Sequence, residues 1–240
     1  MFTGLVETTG ILRRRAGRPV AHAFIETSMG PLTLGESISV NGACLTVDRI
    51  MPGGFECDMT SETLDRTTLG ELPLGHRVHL ERATPLGGRM GGHMVLGHVD
   101  CVGRVTGREA RGDALRFEVT VPSELGRFVA AKGSIAIDGV SLTLNAVGSP
   151  GPSGVAFDVM LVPHTLGRTL LGEMRSGSRV NIEVDVLARY VARQLEFRTG
   201  ADEGAAPAKR TEVPDVRNDQ LRNDDDDQRI LAKLRSGGWV

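Results

Sequence analysis

An internal repeat constrains this chain more than any other feature. Val40-Asn41-Gly42-Ala43-Cys44-Leu45-Thr46-Val47 returns as Ile137-Asp138-Gly139-Val140-Ser141-Leu142-Thr143-Leu144. Glu62-Thr63-Leu64-Asp65-Arg66-Thr67 returns as His164-Thr165-Leu166-Gly167-Arg168-Thr169. Gly70-Glu71 and Gly75-His76-Arg77-Val78 return as Gly172-Glu173 and Gly177-Ser178-Arg179-Val180. The order is kept, and the shift grows from 97 to 102 residues as the second copy gains loop residues. A repeat of domain size means one fold duplicated. Two similar folds offer paired surfaces, and paired surfaces can hold two similar ligands.

The 240 residues suffice for two small domains of roughly 90–100 residues each, with a core apiece. The first copy is expected over residues 1–89 and the second over 90–186. Period-two runs between glycine and proline turns predict strands at 35–40, 45–50, 55–59, 77–82, 115–121, 134–137, 156–161 and 179–184. Asn41-Gly42, between two such runs, is a strong hairpin signal, and Asp138-Gly139 is its counterpart. Short helices are expected at 61–70, with Ser61 as cap, at 163–172, with proline first, and at 123–129. Many short, evenly spaced strands point to an all-β chain of two antiparallel barrels. Beyond them, Leu187, Tyr190, Val191 and Leu195 recur at helical spacing over 187–198. That helix has no counterpart in the first copy, so it either packs on its own chain or joins subunits. Residues 199–240 show no core pattern and read as a disordered tail. Ile230, Leu231 and Leu234 form a short apolar face near the end, a candidate docking peptide.

A formal charge of −2 and a pI near 6.3 give no footing for nucleic acid or an acidic membrane surface. Aromatic residues, at 4%, are too few for base-stacking platforms. No apolar run nears the roughly 20 residues of a membrane span, and the first residues do not resemble a secretory signal. Cys44, Cys57 and Cys101 lack CxxC spacing, so reduced cytoplasmic thiols are expected rather than a disulfide framework or a zinc site. The patterns of phosphate loops, dinucleotide folds, zinc proteases and nucleophile elbows are absent, and no two of the six histidines stand four apart. No metal or cofactor is expected.

Within the repeated motif, a glycine turn re-enters a strand that shows Cys44 and Thr46 on one face and Leu45 on the other. Ser141, Thr143 and Leu142 are the counterparts. Small thiol and hydroxyl groups beside strand amides suit a flat ring with amide-like edges, such as a pyrimidinedione. Phe2-Thr3-Gly4-Leu5-Val6-Glu7 aligns with Val95-Leu96-Gly97-His98-Val99-Asp100, and glycine in a strand often marks a close approach. His98 stands opposite Leu5, so the halves are expected to bind alike and act differently.

These segments, with Gly91-Gly92-His93, Lys132-Gly133-Ser134-Ile135 and Val180-Asn181-Ile182-Glu183-Val184-Asp185, closely resemble the riboflavin synthase alpha chains, a lumazine-binding repeat family. The resemblance spans residues 1–197, in order. It implies two six-stranded Greek-key barrels and a C-terminal helix that joins a homotrimer. The implied activity is a transferase reaction without cofactor or metal. Two molecules of 6,7-dimethyl-8-ribityllumazine give riboflavin and 5-amino-6-(D-ribitylamino)uracil by transfer of a four-carbon unit. The active site would lie where the first barrel of one subunit meets the second barrel of another. Association with lumazine synthase is a further implied partnership.

Carried over by position, the first barrel's pocket comprises Gly4, Leu5, Val6, Cys44, Leu45, Thr46, Ser61, Glu62, Thr63, Leu64, Asp65 and Arg66. The second comprises Gly97, His98, Val99, Ser141, Leu142, Thr143, Val162, Pro163, His164, Thr165, Leu166 and Gly167, with Lys132 reaching a neighbouring site. Cys44, His98, Ser141 and Asp185 form the implied catalytic set, with Phe2 shaping the pocket. The chemistry needs a proton taken from one ring's C7 methyl and a nucleophile added at the other ring's C7. Which residue is base and which nucleophile stays open. The sequence departs from the family at His164 and Gly167, where acidic residues are usual, while Glu62 keeps its acid in the first copy. A non-catalytic lumazine or flavin carrier of the same fold is the alternative; retention of the four polar residues speaks against it.

Overall fold

Two antiparallel β systems follow one another along the chain, each built from the same succession of strands. The structure, a computed structural model, describes residues 1–202, with side chains as far as 198. The first half holds β1 (Thr8–Ala16), β2 (Ala21–Glu26), β3 (Ser37–Val40), β4 (Ala43–Thr46), β5 (Arg49–Met51), β6 (Gly54–Met59), helix α1 (Ser61–Arg66) and β7 (Arg77–Arg82). The second holds β8 (Cys101–Arg111), β9 (Ala114–Val121), β10 (Ser134–Ile137), β11 (Val140–Val147), β12 (Val155–Leu161), helix α2 (Pro163–Arg168) and β13 (Arg179–Val184). Helix α3 (Val186–Asp202) follows, running four residues past its expected end. The apolar segment near Ile230 and the rest of the expected tail from 203 onward lie outside the described residues.

The second half closes into a six-stranded barrel in the order β10-β11-β12-β9-β8-β13. The first half has the same order, with one strand broken in two: β4 pairs with β3, and β5 pairs with β6. At the break, Val47 N donates to Glu36 O and Asp48 N to Glu56 O, both at 2.9 Å, so the ladder passes from one neighbour to the other. β11 keeps its continuity but shifts register between Leu144 and Ala146, at the equivalent place. An extra residue there bends the strand round the corner of a small barrel. Alternation fills each interior: Ala21, Ala23 and Ile25 of β2 point inward with Leu12, Ile38, Phe55 and Leu80, and Phe117, Val119, Ile135, Phe157 and Ile182 fill the second core. Each fully buried side chain of this size contributes roughly 1.5–3 kcal/mol.

Strands β1, β2 and β8 are absent from the sequence expectation. In β1 and β8 the cause is a bulge, between Leu12 and Arg14 and between Val105 and Gly107, that breaks the period. Beyond the bulge β1 lies on the surface, where Arg13 pairs with Glu26 and Arg14 with Glu56. The cap of α1 is Thr60 rather than Ser61: Thr63 N donates to Thr60 Oγ1 at 3.3 Å. Residues Ser123–Phe128 form a 3-10 turn instead of an α-helix. Among the described residues no helix is long and apolar enough to cross a membrane.

Asn41 and Gly42 have φ of 46° and 83°, and Asp138 and Gly139 have 45° and 79°. Both central residues are left-handed, as a type I′ hairpin turn requires. The two turns also meet back to back. A Cβ on Gly42 would come within 2.7 Å of Gly139 N, and one on Gly139 within 2.8 Å of Gly42 N. The repeated glycine thus serves the junction between the halves as well as the turn.

Candidate functional site

Contacts at that junction, within each half and between the two, come in reciprocal pairs. Thr3 N and Gly4 N donate to Glu81 at 2.7 and 2.9 Å, while Leu96 N and Gly97 N donate to Glu183 at 2.7 and 3.0 Å. Phe2 bridges to Val95 in antiparallel fashion. Ser141 N donates to Gly4 O at 2.8 Å, and Cys44 N donates to Gly97 O at 2.9 Å. Reciprocity of this kind is the mark of an approximate two-fold axis. Each half's leading segment is anchored by a glutamate of its own barrel and laid on the repeated motif of the other barrel.

The sequence expectation grouped Gly4, Leu5 and Val6 with Cys44, and Gly97, His98 and Val99 with Ser141. The structure pairs them crosswise. Val6 packs against the second core and Val99 against the first. Gly4 and Gly97, at φ of 76° and 81°, approach so closely that a Cβ would stand 2.5 Å from the Cβ of Ser141 and Cys44 respectively. The crossing follows from the two-fold: a segment beginning near the axis has the other half's hairpin as its neighbour.

Around the His98 segment a cleft of about 700 Å³ is lined by Glu62 and Arg66 of α1, by His98, Val99 and Asp100, and by Val186, Arg189, Tyr190 and Arg193 of α3. Glu62 is tied to Arg66 at 2.9 Å. Arg189 pairs with Asp100, whose other carboxylate oxygen accepts from Val184 N at 2.8 Å, so the first turn of α3 is fastened to the His98 segment. Asp185 stands at the head of α3, its side chain accepting from Leu187 N at 2.9 Å. Among these, Arg189, Tyr190 and Arg193 are additions from a helix outside the repeat, and Asp100 is an addition at the place that Glu7 holds in the first copy.

On the Ser141 face the partner is His93. Its Nδ1 lies 2.7 Å from Ser141 Oγ, and its Nε2 is buried with no hydrogen-bond partner. Burial lowers the imidazole pKa from its ordinary value, opposed by the charge of Asp185. The sequence reading names Gly91-Gly92-His93 among the segments that carry the family resemblance but gives His93 no role at the site. Lys132, at the approach to β10, holds a left-handed φ of 68° with its N donating to Leu144 O at 2.8 Å. Gly35 holds the equivalent turn position in the first half, with φ of 81° and its N donating to Val47 O at 2.9 Å. At Gly167 a Cβ would meet nothing within 4 Å, so the missing acid leaves open space rather than a packing defect.

Some residues expected at the site turn inward instead. Phe2 is fully buried, clustered with Val95 and Ala136, with Cys44 against it, so it lies under the site. Leu45, Leu64 and Leu142 point into the cores and can offer only backbone groups outward. Cys44 and Ser141 are half-buried, and Thr46 and Thr143 exposed, on the shared face that alternation predicts. Burial pushes the thiols of Cys57 and Cys101 up to about 12, so neither is a nucleophile at neutral pH.

A second cleft, about 720 Å³, lies beside the axis away from these faces, bordered by Asn41, Asp138, Leu170 and Met174. Arg77 with Glu173, and Arg179 with Glu71, clasp across it as a reciprocal pair. Beneath, Asn181 receives Thr68 N at 2.7 Å and donates to Asn41 O at 2.8 Å. His79 accepts from Leu170 N at 2.7 Å through Nε2 and donates to Asp138 O at 2.9 Å through Nδ1. With both ring nitrogens engaged, burial lowers His79 to about 4.

The family model described as lumazine binding domain matches twice, over residues 3–83 and 96–185. Proteins named riboflavin synthase are similar along nearly their whole length. One from Mycobacterium bovis is 44% identical over 203 residues, covering 81% of this chain and 98% of its own. Those from Brucella abortus and Bacillus subtilis are 41% and 38% identical, covering 82% and 81% of this chain and 100% and 90% of their own. Among solved structures, LumP complexed with 6,7-dimethyl-8-(1'-D-ribityl) lumazine has a TM-score of 0.65 at 25% identity, covering 77% of this chain and 99% of its own. LumP complexed with riboflavin has a TM-score of 0.66 at 26% identity, with the same coverage.

Proposed function

The chain belongs to the riboflavin synthase family of lumazine-binding repeat proteins, and from that membership we propose that it converts two molecules of 6,7-dimethyl-8-ribityllumazine into riboflavin and 5-amino-6-(D-ribitylamino)uracil. It acts as a transferase of a four-carbon unit. The observation that carries this reading is the doubling itself: one chain bears two related faces, one with Cys44 and one with Ser141, and the reaction takes two copies of one substrate.

One ring rests against Cys44, Thr46, Gly97, His98, Val99 and the α1 residues, within the half spanning 1–89 closed by a segment from the other half. The second rests against Ser141, Thr143, Gly4, Leu5, Val6, Lys132 and the α2 residues of the half spanning 90–186. His98 and Asp185 stand ready for proton movement, and Phe2 supports the floor. Two unlike faces must be brought opposite each other, and α3 does this by joining three copies, so that the first half of one meets the second half of the next. Holding two rings in register supplies much of the acceleration, since orientation alone is worth about 7–11 kcal/mol in well-aligned systems. The enzyme works in the cytoplasm with its thiols reduced, and association with lumazine synthase would pass substrate directly.

The test is to mix the protein with the lumazine and follow riboflavin by absorbance and fluorescence. Conversion with a riboflavin to pyrimidine ratio of one is expected. Tight binding without conversion would replace this reading with that of a lumazine carrier.

A further inference from the structure

We propose that Asp100 is a positioning residue for the reaction: its one carboxylate, clamped by Arg189 of α3, fixes His98 and Asp185 relative to each other in the cleft around the His98 segment. The inference rests on the functional reading above and adds to it a pair outside the expected catalytic set.

His98 sits between two tethers. Ahead of it, Leu96 N and Gly97 N are held by Glu183. Behind it, Asp100 N donates to Ile182 O at 2.8 Å, and the Asp100 side chain returns to the end of β13, one oxygen accepting from Val184 N at 2.8 Å. Asp185 is the next residue, at the head of α3. The other oxygen meets the Arg189 guanidinium, one turn into the helix. One carboxylate thus spans the segment that carries His98, the strand end that leads to Asp185, and the helix that follows. Arg189 is itself confined. Its guanidinium lies 5.7 Å from the centre of the Phe128 ring, which Arg127 approaches at 4.7 Å, and Arg127 pairs with Glu196 further along the same helix.

The first half shows what the clamp replaces. Glu7 stands where Asp100 does, and its N donates to Leu80 O as Asp100 N does to Ile182 O. The Glu7 carboxylate accepts from Arg82 N at 2.8 Å and from the guanidinium of the same residue at 3.0 and 3.1 Å. There the strand end supplies both the amide and the cation. In the second half Val184 takes the place of Arg82 and offers only its amide, so the cation comes from α3, an element the first half lacks. The Asp100 side chain is 7% exposed, against 37% for Glu7. A carboxylate so enclosed depends on its counter-charge, whereas an exposed pair is screened and loosely held. The residues at the places of His98 and Asp185 in the first half are Leu5 and Ala83. The half that carries the ionisable pair therefore has the tighter clamp, and the half without it the looser one.

The experiment measures kcat and KM for riboflavin formation from 6,7-dimethyl-8-ribityllumazine by the full chain, with hydrogen exchange read by mass spectrometry at residues 96–101 and 183–190. It compares the native protein with Asp100→Asn, Arg189→Met, Arg189→Lys and the double variant of the first two. Asparagine keeps an oxygen for Val184 N but loses the charge, and methionine keeps the stem of Arg189 without its cation. Because a misplacement of about 1 Å can cost on the order of 100-fold, kcat should fall about 30-fold in either neutral variant, with KM kept within about threefold. Exchange should quicken at those two stretches, with sedimentation as in the native protein. Arg189→Lys should recover most of the loss, because the contact is a single charged one, and the double variant should be no slower than the slower single. Should Arg189→Met, which leaves Asp100 without its counter-charge, fail to fold on thermal unfolding, Asp100→Asn carries the test. Native kcat in either folded variant, a loss confined to KM, unchanged exchange at both stretches, or losses that multiply in the double variant would overturn the proposal. A native protein that makes no riboflavin overturns the functional reading and with it the clamp's part in the step. Riboflavin from a native protein whose variants keep its kcat leaves that reading intact and removes the clamp alone.

Discussion

Asp138 occupies the place that Asn41 holds in the first half, and the two make the same bond: His79 N donates to Asn41 Oδ1 and Asn181 N to Asp138 Oδ1, each at 2.7 Å. The carboxyl differs in having a charge to desolvate. Burial pushes it up from about 3.8 to about 7, against the hydrogen bond from Asn181 that favours ionisation. The folded protein therefore holds this proton more tightly than the unfolded chain. Its stabilising contribution is full in acid, is lost as pH rises from about 4 to about 7, and is constant above that. Asp138→Asn should copy the first half and remove the loss. In thermal unfolding the variant should gain on the native protein across that window, by at most about 4 kcal/mol at about 1.4 kcal/mol per unit, then keep a constant lead. His79 titrates with the opposite sign, stability falling as pH drops from 6.5 towards about 4, but it does so in both proteins and cancels in the difference. A lead that does not change with pH would mean that the ionised carboxylate is compensated in the fold. At this scale the sequence showed what is local: which of Cys44, Leu45 and Thr46 face out follows from period two. The bond from Ser141 N to Gly4 O joins residues far apart in sequence, and nothing in the local pattern of either segment announces it.

Elements whose alternation is unbroken, such as β6, β7, β12 and β13, were readable, whereas β1 and β8 were hidden because a bulge shifts the period and the outer half carries arginines paired across the surface. Helix α3 was legible as a helix, but not which residues it would show to the cleft. Its first turns expose Leu187, Tyr190 and Val191, at 55%, 68% and 59%. Apolar groups this exposed on one helix are a candidate contact surface. If α3 joins copies, Leu187→Glu with Val191→Glu should convert an assembly into single chains on sedimentation. Riboflavin formation should fall at least about tenfold while each chain keeps its unfolding temperature, because a site shared between copies loses its geometry without loss of fold. Native-like sedimentation in the variant would move the joining surface elsewhere.

For the whole molecule, the two-fold within one chain has an energetic consequence. The ion pairs Arg77–Glu173 and Arg179–Glu71 are exposed, and each is worth at most about 1 kcal/mol. The halves are held chiefly by what is buried: Phe2 against Val95, the back-to-back glycine turns, and the Asn181 bonds to Thr68 and Asn41. Each leading segment also covers the other half's hairpin, so neither half is finished alone. Residues 1–89 expressed without the rest would have their own segment around Phe2 and Gly4 free, and the Cys44 strand bare. A second copy can supply both needs, because Gly4 can lie on Cys44 of a neighbour as Gly97 does in the full chain. The isolated first half should therefore form a symmetric dimer whose true axis replaces the approximate one, with Gly42 of each copy against the other. Gly42→Val should abolish it, since the added side chain would enter the opposing backbone, where even a Cβ finds only 2.7 Å. Sedimentation of the two fragments decides the matter: a folded, monomeric 1–89 would show that the swapped segments cover the hairpins without being required by them.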